Sequence, residues 1–164
     1  MSRVFLGVGS NEGDRLALIS TAVRALGAVP GVQLLRMATV IETEPIGGPP
    51  QAPYLNTVVE IETDLKPMAL LECLKTIERR LGRTPTAQRW AARPIDLYIL
   101  LYHDRVLQEP QLSIPHPRLH ERWFVLEPLA QLAPDIMHPV LKRSIAELLA
   151  DVPSAPARPG TEAG

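Results

Sequence analysis

Several features that would indicate a partner or a compartment are scarce in this sequence of 164 residues. It has a single cysteine, so an internal disulfide is excluded. Basic and acidic residues number 17 and 18, and the net charge of −1 gives no overall field that would attract nucleic acid or an anionic membrane. No apolar run is long enough to span a bilayer. The sequence therefore predicts a soluble cytoplasmic protein that binds neither nucleic acid nor a membrane.

Two common phosphate-binding fingerprints are also missing. The chain has neither a G-x-x-x-x-G-K-[ST] loop nor a G-x-G-x-x-G turn, so any nucleotide site must be built from a local basic cluster. The arginines of such a cluster are Arg79, Arg80, Arg83, Arg89 and Arg93, followed by Arg118 and Arg122. Guanidinium groups can hold phosphate oxygens in bidentate fashion. A solvated basic face is the alternative interpretation of Arg79 and Arg80.

The hydrophobic periodicity predicts an alternation of strands and helices. Long strands are predicted at 3–9, 33–42, 55–63 and 95–102, and long helices at 16–26 and 67–81, with Asn11 as the N-cap of the first helix. Shorter strands and helices follow. The order predicts an α+β fold, a ferredoxin-like α/β sandwich with a mainly antiparallel central sheet and helices on its faces. We expect one domain over residues 1–152 and a disordered tail over 153–164.

Aromatic residues make up only 4 % of the chain, so their positions are informative. Tyr54 and Phe124 come from distant segments, and two such rings can sandwich a planar heterocycle. Asn56, two residues after Tyr54, can read the donor–acceptor edge of a ring. Ordinary core packing is the alternative for each aromatic residue taken alone.

The segment "IDLYILLY" places a carboxylate in an apolar strand. Strict alternation puts Asp96, Tyr98, Leu100 and Tyr102 on one face. A carboxylate in such a place requires a cation or an ion pair, so Asp96 is expected to hold a metal or to form an ion pair with Arg89 or Arg93. Further on, "PHPRLHER" offers His116 and His120, four residues apart. The flanking prolines argue against a helical metal site, and a structural or phosphate-contacting His116 is favoured.

Four segments, in this order and spacing, resemble the 6-hydroxymethyl-7,8-dihydropterin pyrophosphokinase family of folate biosynthesis. They are "LGVGSNEGD", "TEPIGGPPQAPYLNTVVEIET", "LGRTPTAQRWAARPIDLYILLY" and "IPHPRLHERWFVLEPLAQLAPD", and the resemblance covers about residues 3–151. It implies an α/β sandwich enzyme that transfers pyrophosphate from ATP, its co-substrate, to the hydroxymethyl group of the pterin and releases AMP. Two Mg²⁺ ions would assist. We expect a monomer, with a dimer as the alternative.

The resemblance also implies a role for each residue of a site. For the pterin, Tyr54 and Phe124 would flank the ring, and Asn56 with the backbone near Thr43 and Ile46 would read its edge. For ATP, the triphosphate contacts would be Arg83, Arg93, His116 and Arg122, with Trp90 on a closing loop. Glu78 and the backbone near Ile99 and Ser113 would hold the nucleoside. Asp96 would hold Mg²⁺, so Arg83, Arg93 and Asp96 are the expected catalytic residues.

One position departs from this family pattern, in which Asp-Leu-Asp would supply two carboxylates. Here the sequence is Asp96-Leu97-Tyr98. Mg²⁺ prefers hard anionic oxygens, and a phenol with an ordinary pKa of about 10 is a poor substitute. Three interpretations stay open. Tyr98 swings aside while Asp96, phosphates and waters hold the metals; the substitution impairs an otherwise normal enzyme; or the chain is a pterin- or nucleotide-binding relative with little catalysis. Because the other expected residues are present, an enzyme is favoured.

An RNA-binding domain of ferredoxin-like fold is a further alternative. It would require exposed aromatic residues and a basic sheet face. Alternation along the third strand instead predicts exposed Glu60 and Glu62, which argues against RNA binding.

Overall fold

The computed structural model describes residues 1–11, 13–43, 53–82 and 94–153. Four residues that the sequence places in the candidate site lie outside these ranges: Ile46, Arg83, Trp90 and Arg93. Residues 154–164 of the predicted tail lie outside them as well. Within the described ranges, no helix is both long enough and apolar enough to cross a membrane.

Strands and helices alternate along the first two thirds of the chain, and shorter elements follow. In order they are β1 (Ser2–Ser10), α1 (Arg15–Gly27), β2 (Val32–Met37), β3 (Ile41–Thr43), β4 (Tyr54–Thr63), α2 (Pro67–Arg80), β5 (Asp96–Tyr102), β6 (Leu107–Glu109), β7 (Leu112–Ile114), a 3₁₀ turn (Leu119–Glu121), α3 (Trp123–Leu132) and α4 (Ile145–Asp151).

The main sheet has the order β2-β4-β1-β5, with β3 paired to β4. Every strand pair in it is antiparallel. The two strands of each βαβ unit are separated by one strand of the other unit: β4 lies between β1 and β2, and β1 lies between β4 and β5. This is the ferredoxin-like arrangement. The predicted fold class is confirmed. Strands β6 and β7 form a separate hairpin, and β7 lies against β5.

Helices cover both faces of this sheet, so it separates two apolar cores. The first core lies between the sheet and helices α1 and α2, and is built around Leu6, Leu26, Ile61, Leu74 and Ile99. The second core lies on the opposite face under α3 and α4, and is built around Phe5, Val58, Leu101, Leu126 and Ile145. Burial of large apolar side chains in both layers supplies the main stabilisation of the domain.

The start of the first helix differs from the prediction. Asp14, not Asn11, is the N-cap: its carboxylate accepts a hydrogen bond from the Ala17 amide at 3.2 Å. Asn11 is instead buried at the end of β1, with 2 % of its surface exposed. Both residue types favour helix starts, so composition alone does not distinguish them.

The predicted strand over 33–42 is two strands, β2 and β3. Between them the backbone is held by more distant partners. The Ala38 carbonyl accepts from the Thr57 hydroxyl at 2.8 Å, and the Thr39 amide donates to the Gln131 side chain at 2.9 Å. These contacts redirect the chain at a point where the apolar pattern shows no interruption.

A bulge in β5 changes which side chains face each core. Phe5 lies opposite Leu101 and Leu6 opposite Ile99, which leaves Leu100 as the extra residue. Leu100 and Leu101 both pack in the second core, whereas Tyr102 turns to the first and donates its hydroxyl to the Leu65 carbonyl. Strict alternation is therefore wrong beyond Leu100, but it holds for Asp96 and Tyr98.

Candidate active site

Two glycines of β1 form the floor of the candidate site. Gly9 lies opposite Asn56 on β4 and opposite Asp96 on β5, so these three residues form one row across the sheet. Gly7, one row further, lies opposite Tyr98. A Cβ atom at Gly9 would lie only 2.9 Å from the Asn56 Oδ1 atom. At Gly7 and Gly9 this face of β1 carries no side chains, so the neighbouring side chains extend across it.

A buried hydrogen bond fixes the amide of Asn56. Its Nδ2 atom donates to the Thr43 hydroxyl at 2.9 Å, and Asn56 and Thr43 are 6 % and 8 % exposed. Thr43 is in turn paired with Tyr54 across β3 and β4. The Oδ1 atom thus keeps its position over Gly9 as an acceptor. The structure brings Thr43, Tyr54 and Asn56 together, as the resemblance implied.

Arg122 and Phe124 reach the same face from the start of α3. The Arg122 guanidinium carbon lies 5.8 Å from the centre of the Phe124 ring, and Phe124 meets Trp123 edge to face at 6.2 Å. Phe124 and Tyr98 both pack at the border of the second core. The Asn56 row is on this face as well, because Asn56 is two residues from Val58, a member of that core.

His116 stands beside Tyr98 as a neutral ring. Its amide donates to the Leu100 carbonyl at 2.9 Å, and its Nδ1 atom accepts from the Arg118 amide at 3.2 Å. The proton of the neutral ring is therefore on Nε2. Burial, assisted by the positive charge of Arg122, lowers the pKa of His116 to about 4 and outweighs the opposite effect of Asp96. At neutral pH His116 is a hydrogen-bond donor without charge.

Tyr98 is also uncharged. Burial, and next the negative charge of Asp96, raises the pKa of Tyr98 well above its ordinary value. Its ring centre lies 5.2 Å from that of His116. A phenolate does not replace the carboxylate that the family pattern would place here. The predicted ion-pair partners of Asp96, Arg89 and Arg93, lie outside the described residues.

The residues expected around a nucleoside lie along β5, the end strand of the sheet order. Glu78 reaches over from α2, and its carboxylate accepts from the Leu97 amide at 2.7 Å while only 8 % of the residue is exposed. Ile99 is buried in the first core. Ser113, on β7, is half-buried where that strand lies against β5. The three residues border the same strand, and one oxygen of Glu78 already holds its backbone.

A cavity of about 210 Å³ adjoins His116 on the side of the β6–β7 hairpin. His120 and His138 line it together with apolar residues such as Val140. The Nδ1 atom of His138 accepts from the amides of Val140 and Leu141 at 3.2 and 3.0 Å. Burial, and next the neighbouring His120, lowers the pKa of His138. Sequence reasoning assigned His138 no role.

The residues present fit a cation that arrives with its substrate. In the described part of the chain, no three His, Cys, Asp or Glu side chains converge on a common point. Mg²⁺ often uses one or two carboxylates and completes its shell with phosphate oxygens and waters. Asp96, half-buried on the face that carries Arg122, fits that mode, whereas a cage made of protein ligands alone does not.

Sequence reasoning missed the two glycines of the floor. A signal was present, because "LGVGS" places glycine at alternate positions of a strand and so leaves one of its faces bare. The pattern alone did not show which side chains cross that face, since these come from β4 and β5.

A fixed amide, aromatic rings, an uncharged imidazole and a carboxylate thus lie on one face of a ferredoxin-like sheet. The sequence model of the 7,8-dihydro-6-hydroxymethylpterin-pyrophosphokinase (HPPK) family matches residues 5–134. The chain belongs to this family.

Individual relatives are similar to this chain over most of its length. A 2-amino-4-hydroxy-6-hydroxymethyldihydropteridine pyrophosphokinase of Bacillus subtilis is 42 % identical over 132 residues, covering 80 % of this chain and 78 % of that protein. The enzyme of that name from Methylorubrum extorquens is 41 % identical over 137 residues, covering 84 % and 86 %. The folic acid synthesis protein fol1 of Schizosaccharomyces pombe is 41 % identical over 150 residues, but this chain spans only 20 % of its length.

Solved structures show the same fold. The HPPK-DHPS of Plasmodium falciparum, determined with pteroate, matches 91 % of this chain with a TM-score of 0.71 at 17 % sequence identity. This chain spans 42 % of that longer protein.

Proposed function

We propose that the chain transfers pyrophosphate from ATP to 6-hydroxymethyl-7,8-dihydropterin and releases AMP, a step of folate biosynthesis. One observation carries the proposal: a single row across the sheet holds the fixed amide of Asn56 at one side of Gly9 and Asp96 at the other. An amide suits the edge of a pterin, and a carboxylate suits a cation on a triphosphate. Family membership supports the same assignment.

The pterin binds beside β4. Tyr54 and Phe124 flank its ring, and Asn56 with the backbone at Thr43 reads its edge, joined by Ile46 from outside the described residues. The support is the Thr43–Asn56 hydrogen bond at 2.9 Å, which settles the orientation of the amide before a ligand arrives.

ATP binds beside β5. Arg122 and His116 contact the triphosphate, and Glu78 with the backbone near Ile99 and Ser113 holds the nucleoside. Arg83, Arg93 and Trp90, outside the described residues, complete the site from the segment that leads into β5. The support is that burial and Arg122 keep His116 uncharged, so it can donate its Nε2 proton to a phosphate oxygen.

The chemistry requires alignment and charge neutralisation, with no covalent intermediate on the protein. The hydroxymethyl oxygen gives up its proton to solvent and bonds to the β-phosphorus as the bond from that phosphorus to the α–β bridging oxygen breaks, and AMP leaves. Asp96 would hold Mg²⁺, of which two ions are expected, and the metal supplies neutralisation of phosphate charge. The arginines align the phosphates, and the aromatic rings hold the pterin in line with them.

The alternative expectation, a catalytically impaired pterin- or ATP-binding relative, gains no support from the comparisons, in which the matched bacterial proteins carry the name of the enzyme. We keep three further expectations as proposals: a single domain over residues 1–152, a cytoplasmic location, and a monomer with a dimer as its alternative.

The test is AMP release from Mg·ATP and 6-hydroxymethyl-7,8-dihydropterin, with ADP measured in the same samples. We expect AMP and no ADP. Asp96→Asn should lower kcat/KM by about 10²- to 10³-fold, because the cation loses its anionic protein ligand. Asp104→Asn, in an exposed turn, is the matched control and should leave kcat/KM unchanged. ADP in place of AMP, or no product at all, would show the proposed reaction to be wrong.

A further inference from the structure

We infer that Gly7 is a positioning residue: it provides the place on β1 where the Tyr98 ring lies, and so keeps that ring away from Asp96 and its ligands. The packing part of this inference stands on the structure alone. Its consequence for catalysis rests on the proposed function, and the two parts are tested by different measurements.

The Tyr98 ring lies across the backbone of β1 at Gly7. The two residues are directly opposite each other in the antiparallel register. A Cβ atom added to Gly7 would lie 2.8 Å from the Tyr98 hydroxyl oxygen, and closer still to Cζ and Cε2. Cβ atoms essentially never make contacts under 3.0 Å. The outer end of the ring therefore occupies the volume that any other residue at position 7 would fill.

The remaining surroundings of the ring restrict where it can go. His116 stands 5.2 Å away, held by its own amide on Leu100 and by the Arg118 amide on its Nδ1 atom. The second core lies behind Tyr98. Asp96 is two residues away on the same face, a distance of about 7 Å along a strand. A ring displaced from Gly7 would therefore move toward the Asp96 row of the candidate site.

The same geometry explains glycine at this position. Glycine weakens the interior of a strand, because it adds backbone entropy to the unfolded chain and provides no side chain to pack. The three heavy atoms nearest to a Cβ at Gly7 all belong to Tyr98. If the ring is removed, the space for a methyl group opens. Gly7 and Tyr98 thus form a matched pair: the larger residue requires the smaller one.

The pair is tested by a double-mutant cycle of the full chain with Gly7→Ala, Tyr98→Ala and both together. The readouts are binding of Mg²⁺·α,β-methylene-ATP by calorimetry, AMP release and the urea midpoint of unfolding. We expect Gly7→Ala to weaken analogue binding by about tenfold or more with Tyr98 present, but by less than about threefold in the Tyr98→Ala background. Gly27→Ala is the matched control, because a Cβ there meets Leu34 at an ordinary 3.7 Å; we expect no change in binding.

Each outcome supports or overturns the inference. Equal effects of Gly7→Ala in both backgrounds would overturn it, even if AMP release confirms the proposed function. Strong coupling in analogue binding without AMP release from the unsubstituted chain would refute the proposed transfer and support the matched pair. If Gly7→Ala fails to fold, recovery of folding by Tyr98→Ala supports the inference, and failure to recover overturns it.

Discussion

At the scale of single residues, the candidate site combines one carboxylate with two uncharged rings. Burial holds His116 neutral by lowering its pKa to about 4, and it holds Tyr98 neutral by raising the pKa of the phenol. Asp96 is therefore the anionic group on this part of β5, and the charges of Asp96 and Arg122 both influence the pKa values of these two rings. In the proposed function, a triphosphate beside Asp96 would therefore meet a neutral hydrogen-bond donor at His116 and a positive charge at Arg122.

The lowered pKa of His116 predicts a specific dependence of stability on pH. Its ordinary pKa is 6.5 and its value in the folded protein is about 4, so between these pH values the unfolded state binds more protons than the native state. The free energy of unfolding should therefore rise with pH from 4 to 6.5 and fall on acidification. Arg122 and Arg118 strengthen this effect by repelling an imidazolium, and Asp96 opposes it.

The test is urea unfolding of His116→Asn at several pH values between 4 and 7.5. Asparagine can still accept from the Arg118 amide but does not titrate, so we expect a smaller loss of unfolding free energy on acidification. His103→Asn, in an exposed turn with a φ of 50° that asparagine tolerates, is the control. Burial lowers the pKa of His138 in every variant, so its contribution cancels. Identical pH slopes for His116→Asn and the unsubstituted chain would contradict the prediction.

At this scale the sequence predicts which residues belong to the candidate site better than it predicts their tautomers and packing roles. Tyr54, Asn56 and Asp96 could be identified because aromatic, amide and carboxylate groups have distinct chemistry. The tautomer of His116 could not, since it depends on an amide two residues away whose direction is set by the turn. The role of Gly7 could not either, because it is defined by a ring that arrives from another strand.

At the scale of elements, β4 shows where the alternation rule fails. The sequence predicts an exposed Glu60, but the residue is only 3 % exposed. Strand β4 lies between β1 and β2 in the sheet, and α3 covers the face that Glu60 shares with Val58. Alternation assumes one solvated face, whereas helices cover both faces here. The prediction for Glu60 is wrong, and with it that argument against RNA binding; the family assignment replaces it.

Glu60 joins three strands to the end of a helix. Its carboxylate accepts from Arg3 on β1 and from the Arg36 Nε atom on β2 at 2.8 Å. Arg36 also donates to the Leu132 carbonyl, at 2.7 Å, where α3 ends. A buried carboxylate requires such partners, and this network provides them without using a residue of the candidate site.

Glu60→Gln should therefore destabilise the fold but leave the KM values for ATP and pterin unchanged. We expect a loss of about 1–3 kcal/mol, because charged hydrogen bonds are lost inside the sheet. The loss stays below that of a fully buried pair, since the Arg3 and Arg36 side chains are 42 % and 49 % exposed and can turn to water. Urea unfolding measures it, with half-buried Glu62→Gln as the control, for which we expect a change within about 0.5 kcal/mol. Equal losses for both variants would show that the network adds no stability.

The elements themselves were predicted well where local pattern decides, and poorly where distant contacts do. The first helix, α2 and the core strands follow from apolar spacing. The break between β2 and β3 does not, because it depends on the Gln131 side chain bonding to Thr39 from 92 positions away in the sequence. The bulge at Leu100 adds a residue that breaks the two-residue alternation of β5. The predicted faces of Leu101 and Tyr102 are therefore wrong.

At the scale of the whole molecule, the order of elements was enough to predict the architecture. Two βαβ units on one antiparallel sheet have few compact arrangements, and the observed order β2-β4-β1-β5 is the interleaved one. This order also determines the site. It places β1, the strand with bare glycines, between the strand of Asn56 and the strand of Asp96.

In the proposed function a nucleotide binds beside β5 with its cation on Asp96 and stabilises the whole folded chain, which predicts a metal-dependent gain in stability. Mg²⁺ with α,β-methylene-ATP at about 100 times its Kd should raise the free energy of unfolding by about 2.7 kcal/mol, because the complex binds the folded chain and not the unfolded one. Adding EDTA with the same analogue should remove most of this gain if Asp96 holds the cation. In Asp96→Asn, the gain in unfolding free energy should be smaller than in the unsubstituted chain even with Mg²⁺ present. Thermal or urea unfolding measures both, with Mg²⁺ alone as the blank and Asp104→Asn as the matched variant. A gain that persists unchanged in EDTA would show that the arginines and His116 bind the nucleotide without the metal, and would remove Asp96 from the site.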